Sequence, residues 1–359
     1  MNDQRSGLGM FHPHIAAWFA ERIGRPTPTQ RRAWTQIAAG DHLLVTAPTG
    51  SGKTLAAFLW ALNQLVRETW ASGATQVLYI SPLKALNNDI RRNLTTPLEE
   101  LRQTFVDEGL HFPPIRVNTR SGDTPPYERR QMIRRPPEIL ITTPESLHLM
   151  LSSQGGRSIL GDLRTVILDE VHAVVGSKRG TLLMSAVERL VPLSGEFQRI
   201  ALSATVNPEA AVADFVGGFR LAGDVGTPAY IRRPVKRCRS MQLPRNTIFV
   251  RIPDAVVSGT DQRSVWEKLS ETLGAAIAGS RSTIIFTNSR RLCEKLTFLI
   301  NAGRAHPLAY AHHGSLSREL RLEVEQRLKN GDLKAIVATA SLELGIDVGS
   351  LDHVIMVQS

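Results

Sequence analysis

The sequence predicts an α/β protein with mostly parallel sheets, arranged as two domains. Three observations carry this reading. Short Val- and Ile-rich runs alternate with helical stretches, a glycine-rich turn links one such run to a helix, and the alternation lapses and then resumes in the second half. At 359 residues the chain is long enough to bury two separate cores.

In the first half the apolar runs are His42–Thr46, Gln76–Ile80, Glu138–Thr142, Thr165–Leu168 and Arg199–Leu202. Several are almost continuously apolar, as parallel strands covered on both faces must be. A Gly- and Pro-punctuated basic region, Gly217–Pro253, interrupts the pattern and reads as a connector with short extended pieces. Alternation resumes with Ser282–Phe286, Leu308–Tyr310, Ala335–Thr339 and His353–Val357. Between them Leu316–Lys329 reads as a charged amphipathic helix ended by Asn330-Gly331. The expected division is a first domain over 1–220, a basic connector over 221–265 and a second domain over 266–359.

Hydrophobic residues make up 42% and charged residues 21%, within the range of a soluble globular protein. The longest uncharged apolar stretch, Leu55–Val66, is too short to span a bilayer. The N-terminus has no apolar signal core. No membrane partner and a cytoplasmic location are therefore expected. Cys238 and Cys293 are the only cysteines and stand far apart, which excludes a disulfide framework and fits a reducing compartment. The net charge of +10, from 43 basic and 33 acidic residues, points to a polyanionic partner. Arg232, Arg233, Lys236, Arg237, Arg239, Arg245 and Arg251 cluster with no acidic residue among them. Arg129, Arg130, Arg134 and Arg135 form a second group with helical spacing. Basic residues of this kind contact phosphates without reading sequence.

The run Ala47-Pro48-Thr49-Gly50-Ser51-Gly52-Lys53-Thr54 follows the strand His42–Thr46 and opens into the helical Leu55–Val66. That strand–turn–helix setting makes it a phosphate-binding loop. Gly50 and Gly52 let the backbone of Thr49–Gly52 curl its N–H groups toward phosphate oxygens, and the helix start adds partial positive charge. Lys53 would reach the β- and γ-phosphates, and the Thr54 hydroxyl would hold Mg²⁺. Ala47 stands where the strict pattern has glycine.

Thr165–Leu168 leads into Asp169, Glu170, Val171 and His172. Asp169 can hold Mg²⁺ from the side opposite Thr54, and Glu170 can position and deprotonate an attacking water. The phosphate loop, 116 residues upstream and two strands away, gives this acidic pair its meaning. Ser203-Ala204-Thr205 closes the next strand, one over from His172, where its hydroxyls could report whether the γ-phosphate is present.

These motifs, in this order, resemble superfamily 2 helicases of the DEAD/DEAH-box kind. Pro26–Gln30, Ala47–Thr54, Ser81–Asn87, Thr143–Glu145, Asp169–His172 and Ser203–Thr205 are similar to the first motor domain of that superfamily. Phe286–Arg290, His312–Ser315 and Ala338–Asp347 are similar to the second. The wording of Ser81–Asn87, Asp169–His172 and Ser341–Asp347 resembles the Lhr-type (large helicase-related) DNA helicases. The resemblance covers the chain from about residue 11 to its end and implies two RecA-like P-loop domains.

What the resemblance implies for single residues is a division of labour. Gln30 would bond the adenine, and Asp347 would face the nucleotide near the ribose across a cleft. Lys84, Asn87, Thr143 and Glu145 would lie along one strand of nucleic acid, with Asn288, Gly314, Ser315 and Thr339 on it from the second domain. Hydroxyls, amides and helix N-termini can grip phosphates in this way without choosing bases. His312-His313 reads as structural or strand-contacting, since adjacent residues of an extended segment point to opposite faces and cannot easily chelate one ion.

In the resembling family the last strand leads into a motif with a Gln and arginines, one of which reaches the γ-phosphate. The sequence runs to Met356-Val-Gln-Ser359, so the expectation is a chain truncated before that motif, with an incomplete second domain. The expected activity is ATP- and Mg²⁺-dependent translocation on single-stranded DNA or RNA with strand separation, by a monomer. Partly duplex nucleic acid is a further expected partner, and a repair role follows by analogy. The alternative is an ATP-gated nucleic-acid clamp with little turnover.

Overall fold

The computed structural model describes residues 7–48, 50–82, 84–222, 227–240, 247–250, 262–339 and 351–357. The chain divides into two units, Met1–Pro244 and Arg245–Ser359.

The first unit is built on a seven-stranded sheet. Its strands in chain order are β1 (His42–Thr46), β2 (Val77–Ile80), β3 (Val117–Arg120), β4 (Ile139–Thr142), β5 (Thr165–Leu168), β6 (Gln198–Ser203) and β9 (Val235–Arg239). They lie in the order β3-β4-β2-β5-β6-β1-β9, every pairing parallel. The central strands are buried throughout because helices cover both faces. On one face, α2 (Pro28–Ala38) and α3 (Lys53–Val66) pack with α4 (Lys84–Asp107), and Phe58, Leu62 and Leu65 meet Val45, Ile167 and Leu202. On the other, α6 (Pro144–Leu151) and α8 (Lys178–Ser194) place Leu147, Leu183 and Val187 against Leu78 and Leu168. Each such side chain contributes roughly 1.5–3 kcal/mol when fully buried.

Two short helices lie between these in sequence, α5 (Pro126–Arg134) and α7 (Gln154–Ser158). At the N-terminus α1 (Pro13–Arg22) forms a further layer, where Phe11 and Phe19 meet Trp34 edge-on at 4.9 and 5.4 Å. The Trp34 indole N–H donates to the Ala56 carbonyl at 3.1 Å, fixing α2 to α3.

The segment 221–265, expected as a connector, departs from that reading. Its β9 joins the main sheet beside β1, with Arg237 opposite Leu44 and Arg239 opposite Thr46. Before it, α9 (Glu209–Gly217) leads into an antiparallel hairpin of β7 (Phe219–Ala222) and β8 (Ala229–Arg232). An edge strand needs only one buried face, so Lys236, Arg237 and Arg239 are accommodated on a strand whose Cys238 is buried. Arg233, grouped by sequence with a phosphate-contacting cluster, is buried instead. Its guanidinium donates to Glu196 at 2.8 and 2.9 Å, to Glu188 at 3.1 and 3.2 Å and to the Phe219 and Gly217 carbonyls. The buried Arg199 completes this network with a 2.7 Å contact to Glu188. Arg129 likewise turns inward, donating to the Thr124 and Gly122 carbonyls at 2.6 and 2.8 Å.

The second unit carries a parallel sheet in the order β11-β12-β10-β13, with β10 Thr283–Thr287, β11 Ala309–His312, β12 Ala335–Ala338 and β13 His353–Val357. Its helices are α10 (Gln262–Ala278), α11 (Arg290–Asn301) and α12 (Arg318–Lys329). Leu273, Ile277, Leu296 and Ile300 pack against Ile285 and Val337 on one side, and Val324 and Leu328 against Ile336 on the other. No helix among the described residues is long and apolar enough to cross a membrane.

Candidate nucleotide-binding site

Strand order builds the site. β1 and β5 flank β6, so the residues that follow these three strands meet at one edge of the sheet. Thr46 at the end of β1 stands opposite Ser203 at the end of β6, and Ala47 N–H continues the ladder by donating to the Ser203 carbonyl at 3.0 Å.

The loop after β1 needs left-handed backbone at Gly50 (φ 76°) and Gly52 (φ 75°), which side-chain-bearing residues rarely adopt. A Cβ on Gly52 would also stand 2.5 Å from Gln30 Nε2. Among the described residues no side chain caps α3 at Gly52, which leaves the first-turn N–H groups to an incoming anion. The Ser51 hydroxyl is buried and has no hydrogen-bond partner among the described residues. Thr54 lies half-buried in that first turn, and Thr49 falls outside the described residues.

Lys53 and the acidic pair come together. Lys53 Nζ lies 3.4 Å from Glu170 Oε1, with the two side chains 5% and 8% exposed. Glu170 itself sits in left-handed backbone (φ 47°), an uncommon and costly setting for a non-glycine residue. Asp169 is buried beside it, and burial, then the neighbouring Glu170 charge, push its carboxyl up to about 6 against the pull of Tyr79 and Lys53. The Tyr79 hydroxyl donates to Asp169 Oδ2, while Oδ1 makes no hydrogen bond of normal geometry. Burial and the adjacent Asp169 charge raise the Tyr79 phenol well above its ordinary value, so it remains a donor. An orphaned carboxylate oxygen, an orphaned hydroxyl and two carboxylates crowded around one ammonium fit a Mg²⁺-bound polyphosphate.

His172 lies 3.2 Å from Glu170 Oε2 through Nδ1 and makes its hydrogen bond with Ser203 Oγ at 3.1 Å. Ser203 is buried and its hydroxyl also approaches the carbonyl of the exposed Thr205 at 3.4 Å. The structure thus joins Lys53, Glu170, His172 and Ser203 in one chain of contacts.

Gln30 is held at the same edge. In α2 its Oε1 accepts from Thr27 N–H at 2.9 Å while its own N–H donates to Thr27 Oγ1 at 3.2 Å, a reciprocal cap. Its Nε2 donates to the Gly52 carbonyl at 3.3 Å, tying this helix start to the phosphate loop.

The residues expected along a nucleic-acid strand are placed less uniformly. Lys84 and Asn87 fall in the first turn of α4, and their side chains lie outside the described residues. Thr143 is buried as the cap of α6, its hydroxyl accepting from Ser146 N–H at 3.3 Å, so what it offers outward is the helix N-terminus. Glu145 is exposed and held by Arg179 at 2.7 and 3.2 Å.

In the second unit Asn288, Gly314 and Ser315 are exposed and Thr339 half-buried. Arg290 donates to Ser315 Oγ at 2.7 Å, and His313 Nδ1 accepts from Ser315 N–H at 3.3 Å. His312 and His313 use their Nε2 atoms separately, on Glu325 at 2.8 Å and on Glu294 at 2.6 Å. Asp347 lies outside the described residues.

Sequence reasoning missed Tyr79, which in its apolar strand looks like one more core aromatic, and Glu209, which takes the Thr46 hydroxyl at 3.2 Å.

Comparison with known proteins gives a consistent answer. The sequence pattern of the DEAD/DEAH box helicase family matches residues 27–213, and that of the helicase conserved C-terminal domain matches residues 264–359. The chain is 44% identical to the Lhr helicase/probable uracil glycosylase of Mycolicibacterium smegmatis, over 98% of this chain and 25% of that protein. It is also 44% identical to the ATP-dependent helicase Lhr-Core protein 2 of Thermococcus barophilus, over 96% of this chain and 40% of the relative. Among solved structures, Mycobacterium smegmatis helicase Lhr bound to ssDNA and AMP-PNP is similar with a TM-score of 0.81 and 46% identity, covering 98% of this chain and 44% of that one. The chain therefore spans a quarter to two-fifths of the length of these curated relatives.

Proposed function

We propose, from the premise that this chain belongs to the DEAD/DEAH box helicases and within them to the Lhr type, that it hydrolyses ATP to drive movement along, and separation of, nucleic-acid strands. The observation that carries the reading is the buried Lys53–Glu170 pair at the sheet edge where the phosphate loop opens. Similarity to the Lhr structure bound to ssDNA and AMP-PNP supports single-stranded DNA and an ATP-like nucleotide as ligands here.

In this reading the N–H groups at the start of α3 and the Lys53 ammonium receive the β- and γ-phosphates. Lys53 then exchanges its carboxylate partner for phosphate, which frees Glu170 to take the proton of the attacking water. Thr54 and Asp169 would hold Mg²⁺, which when bound neutralises charge on the phosphate oxygens. Gln30, anchored to both Thr27 and Gly52, would read the base and pass its occupancy to the phosphate loop. His172 and Ser203 link the proton-accepting carboxylate to the end of β6, a route by which phosphate loss could reach the strand-gripping loops.

The N-terminus of α6 at Thr143 and the exposed Asn288, Gly314 and Ser315 then bind the sugar–phosphate backbone, with the exposed Lys236, Arg237 and Arg239 adding nonspecific charge. Lys53→Ala in the protein carrying this chain is expected to abolish strand-stimulated ATP turnover. Unchanged turnover would refute the site. Nucleotide-gated strand binding with no turnover in the unsubstituted protein would instead mark a clamp.

A further inference from the structure

Tyr79 lies on β2, directly beside β5, and is paired in register with Ile167, two residues before Asp169. Its ring is fully buried and stacks on Phe58 of α3, with centroids 5.1 Å apart and planes at 22°. The other three side chains of β2, Val77, Leu78 and Ile80, carry no polar atom, so the phenol is the one polar side chain in that strand. Its hydroxyl goes to Asp169 Oδ2. The second oxygen, Oδ1, is buried and makes no hydrogen bond of normal geometry with any described residue. Leaving a buried acceptor unsatisfied is costly unless something outside the protein completes it.

We propose that Tyr79 is a positioning residue for the cation that enters with the nucleotide: by occupying Oδ2 it turns Asp169 Oδ1 toward the ion and its water shell. The inference rests on the nucleotide reading above and adds to it a residue outside the recognised motifs. The stack on Phe58 fixes the ring plane and hence the direction of the O–H bond. Phe58 stands on the helix that opens at Lys53, so the phosphate-binding element and the donor that orients Asp169 are held by one packed contact. Groups that orient a metal-binding side chain in this way are typically worth 10–100-fold in metal affinity.

The test is binding of a fluorescent ADP analogue, N-methylanthraniloyl-ADP, as a function of Mg²⁺ concentration in the unsubstituted chain, Tyr79→Phe and Phe58→Leu. Tyr79→Phe keeps the ring and its stack and removes only the hydroxyl. Its Mg²⁺ concentration for half-maximal binding is expected to rise about 10-fold, with binding in excess EDTA unchanged. Phe58→Leu keeps the hydroxyl and loosens only the stack, and is expected to shift the Mg²⁺ response less than Tyr79→Phe does. An unchanged Mg²⁺ response in Tyr79→Phe, or equal shifts in both variants, overturns the proposal. So does a Tyr79→Phe chain that no longer folds, since the hydroxyl would then be a structural tie. Binding of the analogue by the unsubstituted chain without any response to Mg²⁺ overturns this inference alone; if that chain does not bind the analogue at all, the nucleotide reading fails and this inference falls with it.

Discussion

Lys53 Nζ stands 3.4 Å from Glu170 Oε1 in a setting almost closed to water, while the other oxygen of that carboxylate, Oε2, lies 3.2 Å from His172 Nδ1. The pair holds the lysine ready at the mouth of the phosphate loop. Glu170→Gln is expected to lower ATP turnover by about 10²–10⁴-fold, the usual worth of a positioned general base. Affinity for a non-hydrolysable ATP analogue is expected to be retained, because Lys53 is then released to phosphate. Equilibrium binding and steady-state turnover on the same variant separate the two effects.

The His172–Ser203 contact at 3.1 Å joins the acidic pair to the end of β6. Ser203→Ala combined with Thr205→Ala is expected to reduce strand separation per ATP consumed while ATP turnover persists. Parallel measurement of unwinding and phosphate release decides this, and equal loss of both would contradict a coupling role.

Glu138 is a structural carboxylate with a pH signature. Burial pushes its carboxyl up, but the Arg116 guanidinium and the N–H groups of Gly73 and Arg116, both at 2.8 Å, outweigh that and hold it below the usual range. A lowered folded value means stability that is present above the unfolded carboxyl value of about 4.5 and is lost as pH falls through that region toward the folded value. Glu138→Gln is expected to lose about 1–3 kcal/mol at neutral pH and to show a flatter fall in thermal midpoint on acidification.

Arg233 belongs to the core and not to the nucleic-acid surface. Arg233→Ala strands Glu196 and removes donors from two carbonyls, an expected loss of about 2–3 kcal/mol given that both carboxylates keep some solvent. Strand affinity and its salt dependence are expected to stay as they were. Arg237→Ala, by contrast, is expected to leave the unfolding midpoint alone and to make the slope of log affinity against log salt shallower by about one.

What could be read from the sequence followed burial. β1, β5 and β13 carry the expected bounds, β2, β4 and β12 shift by one residue at one end, and β6, β10 and β11 shift by a residue or two at both ends. The central strands are covered on both faces and so read as unbroken apolar runs. β3, Val-Asn-Thr-Arg, is an edge strand of half-buried residues, and β9 sets Lys236, Arg237 and Arg239 around one buried cysteine; neither produces such a run. Lys53, Asp169, Glu170 and Ser203 were legible because phosphate chemistry limits which side chains can follow those strands. The inward turn of Arg233 was not, because a buried arginine and an exposed one look alike until Glu188 and Glu196 are brought beside it by the fold.

Because Ser203 faces Thr46 across one ladder rung, its aim at His172 is set by how β6 is threaded between its neighbours. Sliding β6 by a single position would flip every side chain on it to the opposite side of the sheet. Such an error would also move the Ser203 carbonyl that holds Ala47 at the root of the phosphate loop, and the link between that loop and the acidic pair would be cut. Fidelity of assembly in this middle strand, as much as any signature residue, is what lets the two halves of the nucleotide site answer each other.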